Sequence, residues 1–332
     1  MTPRCSVCSL RMQQDSKYVI GVDIGGQTAK IGLVRSDGFI AGRRVIRTDN
    51  YGREATAFIK DLAFEIKDLL LNCGEPVIQG VGMGAPNGNY FTGCIENAPN
   101  IQWASDTSVP IAQLLSAELG GLSVTLTNDA NAAAMGEMEY GAARGMKDFI
   151  VITLGTGLGS GIVCNGRLVY GHDGLAGELG HVCVKEGGRK CGCGKKGCLE
   201  AYASATGVAV TAAEMLRKGD EPSPLRQKAV ITSKDVCEAA QEGDALSQRV
   251  FDYTGEILGK ALANFVAFSS PEAIILFGGL TQAGELLRAP VVKAMEENLM
   301  NIWKGKIKVL FSPLSGSDAA ILGASALAWN ND

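Results

Sequence analysis

From Lys17 onward, short unbroken apolar runs alternate with longer stretches in which apolar residues recur every three or four positions. YVIGVDI (18–24) reads as a buried strand that ends at Gly25-Gly26. AKIGLVR follows at once, then the turn Ser36-Asp37-Gly38 and FIAGRRVIRT, which together predict an antiparallel meander. Between residues 54 and 71 the residues Ala57, Phe58, Leu62, Phe64, Ile66, Leu69 and Leu70 recur at roughly helical spacing, and Gly74-Glu75-Pro76 stops the pattern. VIQGVGMGAP is a strand entering a loop, 109–119 a short amphipathic helix, and LSVTLTN a strand leading to Asn128-Asp129 and an Ala-rich helix over 130–143.

The next segment, KDFIVITLGTGLGSGIVCNGRLVYG, repeats the opening design of apolar strand, Gly/Thr loop, second strand and an Asn165-Gly166 hairpin turn. Helical patterns fill 201–218 and 235–268, EAIILFGG (272–279) and IKVLFS are strands, and a last helix spans 318–329. Strands interleaved with helices predict an α/β fold. At 332 residues the chain exceeds one comfortable core, so two lobes around a cleft are expected. The boundaries read as a flexible tail over 1–16, a smaller N-terminal lobe over 17–129 and 317–332, and a larger C-terminal lobe over 130–316.

Composition narrows the class. Hydrophobic residues make up 46% and charged residues 20%, which suits a folded globular chain, and the formal net charge of -4 offers no basic footprint for nucleic acid. No run of eighteen apolar residues exists to span a membrane. The tail MTPRCSVCSLRMQQDS holds Cys5 and Cys8 but neither an apolar signal region nor a partner pair for a zinc finger. Ten cysteines in a chain of this length do not make a disulfide scaffold, so a reducing, cytoplasmic compartment is expected.

The 43 glycines cluster in short loops. In Asp23-Ile24-Gly25-Gly26-Gln27-Thr28 and again in Gly155-Thr156-Gly157-Leu158-Gly159, backbone N–H groups freed by glycine can face a phosphate. Either loop alone is equally a tight hairpin needing positive φ. The pair, in tandem lobes, predicts a clamp on a nucleotide polyphosphate. Gly278-Gly279 closes another strand, where α/β proteins bind ligands, and fits an adenosine edge or a plain strand-to-helix turn. Asp129, at a strand end before a helix, fits the carboxylate that orients and deprotonates a phosphoryl acceptor, with Asp23 facing magnesium. Asp129 also suits an N-cap, although Asn128 and Asn131 can cap as well.

Residues 177–200 carry the densest chemistry. His181, one of two histidines, precedes Cys191, Cys193 and Cys198 in the spacing H-x9-C-x-C-x4-C, with glycines between the ligands. That is a donor set for tetrahedral zinc.

These pieces together resemble the ROK sugar kinases, a branch of the actin/hexokinase ATPase superfamily, over essentially the whole chain from Tyr18 to Trp329. The matching motifs are DIGGQTAKIG, GMGAPNG, ENAPNIQW, TNDANAAAMGE, LGTGLGSGI, and GELGH with CGCGKKGCLE. The resemblance implies two actin-like (ribonuclease H-like) lobes, each with a mixed central sheet. It implies ATP with Mg²⁺ held by Asp23, Gly25, Gly26, Gln27, Thr28, Gly155, Thr156, Gly157, Gly159, Gly278 and Gly279, and Asp129 as base toward a hexose C6 hydroxyl. Asn100, Asn128, Glu178, His181 and Glu200 are implied as sugar contacts, His181 using one ring nitrogen for a structural zinc and presenting the other to the sugar. Glucose is the leading substrate, with N-acetylmannosamine, fructose and allose behind it, and a homodimer or homotetramer is implied. A non-catalytic sugar-sensing regulator is the reading from another class; ROK repressors carry a helix-turn-helix domain that the first sixteen residues lack. Gln27 departs from the threonine usual in DIGGT, and Asn87 from the usual glycine of the PG pair.

Overall fold

The computed structural model describes residues 17–314 and 316–329, so the expected tail with Cys5 and Cys8 lies outside the described residues. These residues form two compact units. The first takes the described chain up to Arg144, Tyr170–Ala176, and the residues from Leu314 on; the second takes Gly145–Val169 and Gly177–Pro313.

In the first unit the meander is β1 (Tyr18–Ile24), β2 (Thr28–Arg35) and β3 (Ile40–Arg47), followed by helix α1 (Ala55–Asn72) and strand β4 (Ile78–Gly84). A small antiparallel sheet that the sequence pattern did not predict comes next, formed by β5 (Gly88–Asn89), β6 (Cys94–Glu96) and β7 (Ser108–Val109). Its strands are two or three residues long, too short to show a period. Helix α2 (Ile111–Glu118), β8 (Val124–Thr127) and helix α3 (Asp129–Glu139) complete the segment. The main sheet runs β3-β2-β1-β4-β8, antiparallel through the meander and parallel beyond β1.

The C-terminal helix (Gly316–Trp329) lies directly on this sheet because glycines floor it. A Cβ on Gly82 would sit 1.9 Å from the Ala324 carbonyl oxygen, and one on Gly21 would sit 2.3 Å from that of Ile321. The same helix crosses α3 where Gly136 meets Gly323, a Cβ on the former falling 2.8 Å from the latter's Cα. Helix α3 is therefore packed into the first unit, which extends to Arg144.

The second unit repeats the plan with β9 (Phe149–Leu154), β10 (Leu158–Cys164) and β11 (Arg167–Leu168). Helices α4 (Glu200–Ala203), α5 (Ala205–Lys218), α6 (Ser233–Gln241) and α7 (Ala245–Ser269), then β12 (Ala273–Phe277), helix α8 (Glu285–Asn298) and β13 (Lys308–Phe311), complete it. Its sheet runs β11-β10-β9-β12-β13, with the same antiparallel and parallel pairings, so the α/β expectation of a mixed sheet in each half holds. The helical pattern over 235–268 is interrupted: Gly243 takes φ 94° and Asp244 caps α7 by accepting from Ser247 N. Ser204 likewise separates α4 from α5 by capping at Gly207 N. No helix among the described residues is long and apolar enough to cross a membrane.

Candidate functional site

In the first unit the hairpin between β1 and β2 closes through Gly25 N, which donates to the Thr28 carbonyl at 2.9 Å. Gly26 packs against the Asn100 backbone, where a Cβ would come 2.5 Å from the carbonyl oxygen. Gln27 is exposed, and its carbonyl accepts from Thr48 N at 2.9 Å. The hairpin register places Lys30 opposite Asp23, and their charged atoms are 3.6 Å apart. Burial raises the Asp23 pKa, Lys30 opposes that rise, and the nearby Asp129 carboxylate adds to it.

Asp129 opens α3, but Asn128 is the cap, its Oδ1 accepting from Asn131 N at 2.7 Å. The Asn128 amide nitrogen is left for solvent or ligand. One Asp129 oxygen accepts from Ala130 N at 2.9 Å. Its side chain is reached by solvent, yet enough protein surrounds it that burial raises the carboxyl pKa above its ordinary value. Asn100 is exposed beside Gly26. Asn87 adopts φ 53°, a conformation asparagine tolerates better than most residues, and its Nδ2 donates to the carbonyls of Glu96 and Asn97 at 2.9 and 3.0 Å.

In the second unit the loop after β9 closes through Gly155 N to the Gly157 carbonyl at 3.0 Å. The α4–α5 junction holds it from outside, Ala205 N donating to the Gly155 carbonyl and Thr206 Oγ1 to that of Thr156. Gly159 lies within β10 and donates to Thr153 Oγ1. Gly278 follows β12 with φ 105°, and Gly279 begins a short 3₁₀ turn, so the helix after this strand starts at Glu285.

Glu200 joins this loop to the cysteine cluster. Its Oε2 accepts from Leu158 N at 2.9 Å, and its Oε1 meets Cys191 Sγ at 3.3 Å. The donor atoms of His181, Cys191, Cys193 and Cys198 all lie within 4.8 Å of one another. His181 Nδ1 is 3.6 Å from Cys191 Sγ, and Cys193 Sγ is 3.6 Å from Cys198 Sγ. A tetrahedron with zinc–sulfur bonds of about 2.3 Å has edges of about 3.7 Å, so the four side chains fit zinc. With Nδ1 turned to the sulfurs, Nε2 faces Glu178, 3.8 Å from its carboxylate.

Two anchors went unread in the sequence. Arg189, inside the knuckle, forms a two-pronged pair with Glu214 at 2.7 and 3.0 Å, donates to the Ala201 carbonyl and lies 4.6 Å over the Tyr202 ring. Nothing local marks a partner 25 residues away. Lys30 was legible, because a hairpin closed between Gly25 and Thr28 fixes which residue faces Asp23.

A sequence model of the ROK family matches residues 19–331. The chain is 37% identical over 319 residues to a glucokinase of Halalkalibacterium halodurans, covering 94% of each protein. It is 36% identical over 321 residues to a glucokinase of Thermotoga maritima, covering 93% of this chain and 96% of that one. Among solved structures, a ROK family glucokinase from Streptomyces griseus in complex with glucose and AMPPNP superposes with a TM-score of 0.76 at 32% identity, over 95% of this chain and all of that one.

Proposed function

The chain belongs to the ROK family, and on that premise we propose that it transfers the γ-phosphoryl group of ATP to the C6 hydroxyl of a hexose, glucose foremost. The observation that carries this reading is Asp129: a carboxylate at a strand end, relieved of capping by Asn128 and with a raised pKa. The glucokinase relatives support glucose over N-acetylmannosamine, fructose and allose.

In this reading Asp129 accepts the proton of the C6 hydroxyl as the sugar oxygen bonds to the γ-phosphorus, while the bond to the β–γ bridging oxygen breaks and ADP leaves. A carboxyl pKa raised by burial makes the ionised Asp129 a stronger base than an ordinary carboxylate. Magnesium would neutralise phosphate charge, with Asp23 the carboxylate placed to meet it. The 24–28 and 155–157 loops offer backbone N–H groups to the phosphates, and Gly278-Gly279 the adenosine edge. Asn100, Asn128 and Glu178 hold sugar hydroxyls, joined by His181 through Nε2.

Zinc on His181, Cys191, Cys193 and Cys198 would supply fixed geometry rather than Lewis acidity. As a zinc thiolate Cys191 would no longer donate to Glu200 Oε1. That oxygen is then left to accept from a sugar hydroxyl while Oε2 stays on Leu158 N. We place the protein in the cytoplasm as a homodimer or homotetramer.

A coupled ADP-release assay over glucose, mannose, fructose, allose and N-acetylmannosamine tests the proposal, glucose giving the highest kcat/KM. Sugar binding without turnover on any of them would make the protein a sugar-sensing regulator instead.

A further inference from the structure

Residues Tyr170–Ala176 leave the second unit's sequence and pack with the first. The Tyr170 ring stacks on Tyr90 with centroids 4.2 Å apart and planes at 10°, and Phe91 meets it edge-on at 5.9 Å. Its hydroxyl is hydrogen-bonded to the Thr127 side chain, and Thr127 Oγ1 in turn accepts from Asn131 Nδ2 at 3.3 Å. Further along, the Asp173 carbonyl accepts from Asn89 Nδ2 at 2.8 Å. Asn89 is only 4% exposed, and its Oδ1 accepts from Phe91 N at 3.0 Å. Gly174, at φ 87°, comes so close that a Cβ would lie 2.5 Å from Asn89 Oδ1.

These anchors are not scattered. Thr127 is the last residue of β8, directly before Asn128 and Asp129, and Asn131 lies in the first turn of α3. Asn89 ends β5 and Tyr90 follows it, shortly after GMGAP. On its other side the segment ends at Ala176, and after the single residue Gly177, at φ 96°, the chain reaches Glu178. A seven-residue strap thus packs beside the end of β8 and leads, one residue later, into Glu178.

We propose that the strap is a positioning element for the hexose, with Tyr170 and Asn89 as positioning residues that anchor the segment leading into Glu178 and so hold Glu178 for the sugar. The proposal rests on the hexose kinase reading. The stacked ring holds the strap against one loop, and the hydroxyl sets its register on Thr127. Neither group touches ATP in this reading, so their loss is felt by the sugar.

The experiment measures glucose and ATP kinetics, zinc content and Tm for wild type, Tyr170→Phe, Thr127→Val, Thr127→Ser, the Tyr170→Phe/Thr127→Val double variant and Asn89→Ala. Tyr170→Phe keeps the stack and deletes the hydroxyl, so glucose KM should rise about fivefold, the factor one hydrogen bond is worth, with ATP KM and zinc content unchanged. Thr127→Val should do the same, the double variant no more than either, and Thr127→Ser should restore wild-type kinetics. Asn89→Ala should raise glucose KM further. Wild-type glucose KM in both Tyr170→Phe and Thr127→Val overturns the strap proposal, as does an equal rise in glucose and ATP KM with a lowered Tm, which marks a general structural role. Absence of hexose turnover in the wild-type protein overturns the kinase reading and the strap together.

Discussion

The two halves of the chain build the same five-stranded sheet in the same order, yet their glycine hairpins lean on different things. The first rests on backbone, with the Asn100 carbonyl against Gly26. The second, besides the Ala205 N–H on the Gly155 carbonyl, rests on a side chain: a Cβ on Gly157 would come 2.5 Å from Glu200 Oε2, whose carboxylate also faces Cys191. A backbone support is set once the unit folds. A carboxylate support depends on the protonation and metal state of the thiol beside it. The first half also carries the carboxylate pair Asp23 and Asp129, and the second the histidine and three thiols. In the proposed reading the repeated scaffold divides labour, proton transfer on one copy and sugar orientation on the other.

Removing the base should break this division most sharply. Asp129→Asn should lower kcat/KM by about 10²–10⁴-fold while ATP binding survives. Because Asp129 must be ionised to act, wild-type kcat/KM should rise with pH through a pKa above the ordinary 3.8. The same shift has a stability consequence. A carboxyl whose folded pKa is raised holds its proton better in the native state, so its unfavourable contribution appears as pH rises through the unfolded and then the folded value. Asp129→Asn should melt higher than wild type at pH 7, and the gap should close below about pH 4. An Asp129→Asn protein that melts lower at neutral pH would mean the carboxylate stabilises α3 instead.

Cys193→Ala tests the other half. It should lose zinc and raise glucose KM by about 10–100-fold with a much smaller change in ATP KM. Metal loss at unchanged glucose affinity would reduce the knuckle to a staple.

The glycine supports separate next. Gly26→Ala must push the Asn100 backbone and should cost about 1–3 kcal/mol of stability in denaturant titration. Gly157→Ala need only displace the end of Glu200, so its loss should appear in glucose KM with little change in unfolding. Equal stability losses would erase the contrast. Asn87→Gly should be the mildest change, keeping the allowed left-handed φ and giving up two hydrogen bonds, about 1 kcal/mol in all by denaturant titration.

Much of this was legible along the chain. The strand and hairpin starts at Tyr18, Thr28, Phe149 and Leu158 follow from apolar runs broken by glycine, and the His/Cys cluster from spacing within one short segment. The break in the 235–268 pattern was also written locally, in Gly243 and Asp244, but a helical period continues across a three-residue interruption and hides it. The cap at Asn128 rather than Asp129 lay one residue from the alternative, and only hydrogen-bond geometry separates the two.

The sequence by itself determined the strands, helices, glycine hairpins and metal knuckle, because each depends on residues that are neighbours along the chain and on periods that side-chain alternation imposes. Tertiary structure decided the rest: the C-terminal helix seated on Gly21 and Gly82, α3 joined to the first unit, Glu200 bracing Leu158, and the strap from Tyr170 to Ala176 crossing to Asn89 and Thr127. These pairings join residues tens to hundreds of positions apart, and they are selected by which surfaces fit without a Cβ in the way and which buried polar atoms find partners.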